Sequence, residues 1–293
     1  MSDKSGIIKT EGERALGFAD MHIHSVYSDG TYTPEEIVRI ARASCVELIS
    51  VCDHNEVRGT LEVLPLARAA GLKCVSGVEI DAMFEGTDIH ILCYGARLDD
   101  PELLARIRHA RAKLDGMSTE LLVRMKLDYP QLDMDEYDDW AHDSSRGGWK
   151  MLQYLVAKGV VPDMKAAMPL YDRYGVTYAA AGFDAAEDVI RAIYRAGGKA
   201  VLAHPGVVFS TDDLRRFAAR VEAAMELGLD GIECHYPRHS AGVIRCCLDI
   251  CRRRGALITA GSDCHGAFNH NEIGQTRTPV SALVLNEMNI DPS

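Results

Sequence analysis

Short β-rich runs alternate with amphipathic helical stretches through the first hundred residues of this 293-residue chain, and again through the last hundred. That rhythm predicts parallel β/α units with strands covered by helices. The first strand is expected at Phe18 to His24, followed by a loop through Ser28-Asp29-Gly30 and a helix opening at Thr33-Pro34-Glu35-Glu36. Thr33 can cap that helix, Pro34 suits its first position, and Glu36 completes a capping box. Next come a strand over Glu47 to Cys52, a helix near Leu61 to Ala70 stopped by Gly71, and a strand over Lys73 to Val78. The pair Glu79 to Phe84 and Asp88 to Tyr94, around Glu85-Gly86-Thr87, reads as a hairpin.

Between Pro101 and Gly182 the texture changes to long helical stretches and clustered acids with no convincing β-run, which predicts a helical insertion. The alternation resumes with a helix from Asp184 to Ala196, where Asp184 and Glu187 have capping-box spacing, and a strand from Lys199 to Ala203. A helix from Thr211 to Leu227, a strand from Gly231 to His235, a helix from Ala241 to Arg254 and a strand from Ala256 to Ala260 follow. The fold class is α/β. About seven strands suit a small or incomplete barrel and equally an open sheet.

Acidic residues outnumber basic ones 43 to 32, for a formal charge of −11. That balance disfavours binding to nucleic-acid polymers or anionic membranes, so a small anionic substrate would need metal ions or a few arginines to hold it. No apolar run reaches the ~18 to 20 residues of a membrane span, and the first 16 residues have no signal-peptide core. A cytoplasmic protein with a loose polar N-terminal extension is expected. The nine cysteines are odd in number and mostly lie inside apolar runs, which suits reduced, buried thiols.

Chemistry gathers at the predicted carboxyl ends of different strands: His22 and His24, Asp53 and His54, Glu79, His90, His204, and Asp263 with His265. Loops from several strands converge at that edge, where β/α folds build their sites. Alternate residues of a strand share a face, so His22 aligns with His24 and Asp263 with His265. So many imidazoles and carboxylates would each need a partner if buried for structure alone, and a metal cluster accounts for them together. Imidazole and carboxylate donors without thiolate suit Zn, Mn or Fe, and Glu79 can bridge two ions. Asp20 and Asp53 are expected to orient ligating histidines as acceptors.

The stretches ADMHIHSVYSDG, SVCDHNEVRG, GVEI, DIHILCYG, VLAHPG and GSDCHG resemble, in order, the motifs of the PHP family, named for polymerase and histidinol phosphatase. The resemblance covers residues 18 to 100 and 184 to 275. It implies a distorted (β/α)7 barrel and a trinuclear metal centre that hydrolyses phosphate esters. Carried over by motif, His22, His24, Glu79 and Asp263 would hold one metal. Glu79 would bridge to a second held by His90 and His204, and Asp29, His54 and His265 would hold a third. The implied domains are an extension (1–17), a barrel (18–100 and 183–293), and a substrate cap (101–182). Where the smaller phosphoesterases of the family open that insertion with an Arg-Pro-His-like motif, this chain reads SSRGGWK, keeping Arg146 but departing at Gly148 and Trp149.

Hydrolysis by a metal-bridging hydroxide is the expected chemistry, on a nucleoside bisphosphate, a sugar phosphate or a cyclic phosphate ester. The catalytic candidates are Asp263, His235 and His239, the two histidines as possible acids for the leaving alkoxide. Arg146 and Arg238, then Lys150 and Arg173, are the candidates for gripping phosphate, with Arg146 and Lys150, four apart, on one helix face if the helix extends back that far. Two rival readings are a metal-dependent amidohydrolase cleaving C–N bonds, which also begins with H-x-H, and a non-catalytic binding module. A panel of phosphate esters against amides and lactones separates the first. The full set of ligand positions on a short acidic chain argues against the second.

Overall fold

The computed structural model describes residues 17–286 and 288–291, so the N-terminal extension lies, but for Gly17, outside the described residues. Strand β1 (Phe18–Ile23) leads to α1 (Pro34–Ala43), where Thr33 accepts from the Glu36 backbone and Glu36 from that of Thr33, the expected capping box. Strand β2 (Val46–Val51) and helix α2 (Arg58–Ala69) follow, the helix starting three residues earlier than its apolar pattern suggested.

The strand expected over Lys73 to Val78 is divided. β3 (Lys73–Val75) stays beside β2, and β4 (Gly77–Phe84) begins a second sheet. Gly77 permits the break, because a Cβ there would lie 2.2 Å from Ser50 Oγ and 2.5 Å from Cys52 Sγ. β4 pairs antiparallel with β5 (Thr87–Tyr94) through a two-residue turn in which Glu85 and Gly86 both have positive φ, as a type I′ hairpin requires.

Residues 101–182 carry α3 (Pro101–Met125), α4 (Met134–Asp139), α5 (Lys150–Ala157), α6 (Met164–Arg173) and α7 (Tyr178–Ala181), and no strand among the described residues. Helix α3 starts where Asp100 accepts from the Glu102 and Leu103 backbones. Its inner residues Leu103, Ile107 and Ala110 belong to the same apolar cluster as Val78 and Ile80 of β4, so insertion and sheet share one core.

The chain then runs α8 (Ala186–Arg195), β6 (Lys199–Leu202), α9 (Pro205–Val208), α10 (Leu214–Met225), β7 (Gly231–His235), α11 (Ala241–Arg254), β8 (Leu257–Ala260) and β9 (Ile290–Asp291). Asp184 does not cap α8 as its spacing suggested. Its carboxylate is drawn instead to the Arg106 guanidinium at 3.0 Å, and Ala185 takes the cap position without a side-chain bond. Helix α10 is shorter than expected and is capped by Asp213. All nine cysteines are free, and all but Cys45 and Cys246 are buried.

The strands form two sheets, ordered β1-β2-β3-β9 and β4-β5-β6-β7-β8. Isolated parallel bridges join them at two seams, Ile23 with Cys264 and His54 with Glu79. At the first seam His24 N donates to Cys264 O and Asp263 N to His22 O; at the second, Glu79 N donates to Asp53 O and Asn55 N to Glu79 O. Each seam is therefore made by the backbone of the residues whose side chains carry the candidate chemistry.

Candidate metal centre

Glu79 lies at the centre, fully buried near the start of β4. Its Oε2 is 3.1 Å from His22 Nε2 and 3.2 Å from both His24 Nε2 and His54 Nδ1. Its Oε1 is 2.8 Å from His90 Nδ1 and 2.9 Å from His204 Nε2. Asp263 Oδ1 approaches His24 Nε2 at 3.0 Å and His22 Nε2 at 3.6 Å, while Asp29 Oδ1 is 3.4 Å from His265 Nε2. Potential ligand atoms converge in four groups: His22, His24, Glu79 and Asp263; Glu79, His90 and His204; His24, Asp29, His54 and His265; and His54, Asp81 and His90. The first three contain the sets expected from sequence, and all nine expected positions lie in one cluster.

The donor set suits a divalent ion. Asp29 Oδ1, His54 Nδ1 and Glu79 Oε2 are buried with only the facing imidazoles and carboxylates near them and no well-aligned hydrogen bond among the described residues, a condition that a cation would relieve. The backbone is also special here: His204 has φ 25° and Asp263 φ 53°, so both side chains are presented from left-handed conformations. Gly261 is forced by close approach, since a Cβ would fall 2.2 Å from His22 Cβ and 2.3 Å from Glu233 Oε1.

Without an ion, carboxylates and imidazoles hold each other charged. Burial alone would strip the proton from His24, but hydrogen bonds to Asp263 and Glu79 outweigh it and push the imidazole up to about 10. His22 and His90 are likewise raised against the pull of burial, chiefly by the Glu79 charge, and His265 mainly by Asp29. Glu79 and Asp263 are held well below the carboxylate range: burial works against their charge, and the surrounding imidazoles more than compensate. His54 goes the other way, lowered to about 4 by burial. Since the raised imidazoles hold protons at neutral pH, loading Mn2+ at pH 7 is expected to release protons, and affinity should rise with pH. Calorimetry in two buffers of different ionisation enthalpy reads the release directly, and uptake without it would mean that these histidines are not displaced.

The expected orienting acids hold the loops around the histidines and not the imidazole rings. Asp53 accepts from Ser25 N, Ser25 Oγ and Ser28 Oγ, fixing the turn after β1, and Asp20 accepts from Ser262 N and Gly274 N, fixing the loop after β8. The imidazoles are steadied by acids that sequence reasoning missed. Glu233 Oε1 lies 3.1 Å from His22 Nδ1, and Asp81 and Asp88 lie 3.2 and 3.3 Å from His90 Nε2. Asp81 shares a strand face with Glu79, and Glu233 is an acid inside an apolar strand; both signals were available.

His239 is tied at both ring nitrogens, Nδ1 to Cys234 O at 3.0 Å and Nε2 to Gly206 N at 3.1 Å, which leaves neither free to serve as an acid. His235 is half-buried at the end of β7. Tyr236, unremarked in the sequence, donates its hydroxyl to Asp263 Oδ2 at 3.1 Å and accepts from Arg238 at 3.1 and 3.3 Å, joining that cation to the cluster.

The other cations are placed differently from expectation. Arg146 ends a 3-10 turn and is exposed. Gly147 and Gly148, both with positive φ, separate it from α5, so Arg146 and Lys150 share no helix face. Lys150 Nζ donates to Asp138 O. Arg173 is exposed and lies over the Tyr174 ring. The glycine pair instead docks the insertion on the cluster: Gly148 N donates to Asp29 O at 2.8 Å, which brings the Trp149 ring 6.0 Å from that of His54.

The sequence profile of the PHP domain matches residues 20–201. The chain is 28% identical to a phosphoribosyl 1,2-cyclic phosphate 1,2-diphosphodiesterase of Eggerthella lenta over 85% of this chain and 94% of that one. It is 27% identical to a 3′,5′-nucleoside bisphosphate phosphatase of Chromobacterium violaceum, over 84% and 86% of the two chains. It is also 30% identical to a 5′-3′ exoribonuclease of Haemophilus influenzae, over 64% and 68%. A crystal structure from Bifidobacterium adolescentis, of a protein inferred to be a metal-dependent phosphoesterase, superposes with a TM-score of 0.72 at 26% identity, covering 89% of this chain and 92% of that one.

Proposed function

The chain belongs to the PHP domain family, and from that premise we propose that it is a metal-dependent phosphoesterase hydrolysing a small phosphorylated metabolite: a nucleoside bisphosphate, a sugar phosphate or a cyclic phosphate ester. The observation that carries this reading is Glu79, one buried carboxylate with imidazoles on both oxygens, three facing Oε2 and two facing Oε1. Such a carboxylate is suited to bridging two ions, and the His24, Asp29, His54 and His265 group supports a third. We read Mn, Fe or Zn as the metals. When bound, such ions supply Lewis acidity toward the phosphoryl oxygens and lower the pKa of water toward ~7.

The chain's own groups prepare that chemistry. Glu233 engages His22 Nδ1 and so turns Nε2 toward Glu79, and Asp81 with Asp88 engages His90 Nε2 and leaves Nδ1 facing inward. Arg238, through the Tyr236 hydroxyl, fixes Asp263 and brings a guanidinium toward the region where phosphoryl oxygens would gather. His235 is the remaining candidate for the proton to the leaving alkoxide. We read the two sheets as the distorted (β/α)7 barrel, a reading supported by the bridges at both seams, and residues 101–182 as the cap over its mouth. Among the described residues no helix is long and apolar enough to cross a membrane. We place the protein in the cytoplasm, acting on small molecules rather than nucleic-acid polymers, in keeping with its charge of −11.

The test is ester hydrolysis, read by chromatography of the products, in a panel of phosphorylated metabolites, cyclic diesters and a dinucleotide with Mn2+-loaded protein, with amides and lactones alongside. Turnover confined to phosphate esters is expected. No hydrolysis of any ester by protein of verified metal content, or faster cleavage of a C–N bond, would overturn the reading, and preference for the dinucleotide would move the substrate toward RNA.

A further inference from the structure

Residues 143–149, the turn of the insertion that rests on the candidate metal centre, are shaped from behind by two side chains. Gln153, buried on α5, donates to Asp143 O at 2.8 Å and to Gly147 O at 2.9 Å, and accepts from Asp143 N at 3.1 Å. His142 Nε2 donates to Gly148 O at 2.9 Å. A buried amide with three hydrogen bonds into one turn fixes the shape of that turn, since each bond lost would leave a polar group unpaired.

The front of the turn touches the loops of one ligand group. Gly148 N donates to Asp29 O at 2.8 Å, and the Trp149 ring lies 6.0 Å from that of His54. Both glycines pack on Phe268, three residues after His265. A Cβ on Gly147 would lie 2.7 Å from Phe268 Cβ and 2.8 Å from Asp29 O, and one on Gly148 would lie 2.7 Å from Phe268 Cε2. The Asp29 and His265 loops are also tied to each other, Ala267 N donating to Thr31 Oγ1 at 2.9 Å. Asp29, His54 and His265, with His24, form the group that supports the third ion. The first group is held from another side: Glu233 and Tyr236, in and just after β7, engage His22 and Asp263.

We propose that this turn is a clasp for the third metal site: braced by Gln153, it sets the separation of Asp29, His54 and His265, so that docking of the insertion and binding of the third ion favour each other. Gln153 is thus a positioning residue, acting on the ligands through Gly147 and Gly148. Three ligands on three separate loops lose conformational freedom when an ion gathers them, and a turn that already holds those loops removes part of that cost. The coupling is reciprocal: whatever the docked turn adds to the affinity of the ion, the ion adds to the docking. The proposal rests on the phosphoesterase reading with its third ion, and gives the insertion a task in assembling the centre beyond covering it.

Calorimetric titration with Mn2+, beside elemental analysis of the bound ions, tests it on the whole chain. The unaltered protein is expected to bind three equivalents. Gln153→Leu removes the three hydrogen bonds and should weaken one ion by at least ~10-fold, the lower end of the loss from residues that orient ligands, with the other two unchanged. Reciprocally, hydrogen exchange in residues 143–149, read by mass spectrometry, should be slower at three equivalents than at two, and Gln153→Leu should erase that difference. Phe268→Ala takes away the other side of the contact and leaves α5 intact. It should show the same selective loss, and it serves if Gln153→Leu does not fold. Equal weakening of all three ions, an unchanged third ion in both variants, or exchange indifferent to the third ion would overturn the clasp and leave the phosphoesterase reading standing. At most two ions in the unaltered protein would overturn the clasp together with the third ion. Selective loss of one ion in a protein that hydrolyses no phosphate ester would support the clasp and reject the phosphoesterase reading.

Discussion

Glu79→Gln is expected to abolish turnover, by more than the ~10 to 100-fold typical of residues that only orient a ligand, and to lower the metal content of the purified protein. The substitution keeps the volume of the side chain but replaces one oxygen with an amide nitrogen, so one of the two imidazole groups loses its shared acceptor. Glu233→Gln is the control for position, since Glu233 touches the cluster only through His22 Nδ1 and the His204 backbone. It should fall within the orienting range with metal retained. Asp53→Asn, which can still accept from the Ser25 backbone, should cost least of the three. Elemental analysis beside initial rates checks the order, and a Glu79→Gln enzyme as active as the Asp53→Asn enzyme would show that no metal is bridged there.

Chelation should remove all hydrolytic activity while leaving the protein folded at neutral pH, because imidazolium and carboxylate groups can pair once no ion separates them. The pairing has a pH signature. His24 is raised from its ordinary 6.5 to about 10 in the folded chain, so its contribution to stability is fully present below about 6.5 and is lost as pH rises through about 10. Glu79 and Asp263, held low, contribute stability above their ordinary values that is lost as pH falls through their folded ones. Metal-free protein should therefore lose thermal stability between pH 7 and 10 faster than loaded protein, whose histidines have already surrendered their protons. Parallel melting curves that never diverge with pH, or activity surviving verified metal removal, would reject the arrangement.

Much of this site was legible because its donors stand in or just after strands β1, β2, β4, β5, β6 and β8, where local pattern and topology coincide. His22 with His24 follows the strand period at the end of β1, whereas Asp263 and His265 lie beyond β8 and Asp263 has φ 53°, so a loop and not a strand brings that pair to the site. Asp29 lies in a turn, and only the family resemblance marked it. Asp81 and Glu233 carried a readable signal, an acid on a buried face, that went unused. What local sequence could not carry is which strand meets which. The division of residues 73 to 84 between two sheets depends on Ser50 and Cys52, more than twenty residues away. Asp184 has the spacing of a helix cap and is taken by Arg106, 78 residues earlier in the chain. Likewise Arg146 and Lys150 keep helical spacing, but two left-handed glycines intervene so that the insertion can rest on the Asp29 loop.

The single core shared by α3 and β4 bears on how such an enzyme can change its diet. Leu103, Ile107 and Ala110 interlock with Val78 and Ile80, so residues 101–182 are not a cassette to be traded between relatives. A transplanted insertion would arrive with the wrong half of the packing, and buried methyl groups would be left facing voids or collisions. Change there is tolerated one side chain at a time, at positions that face away from the shared core.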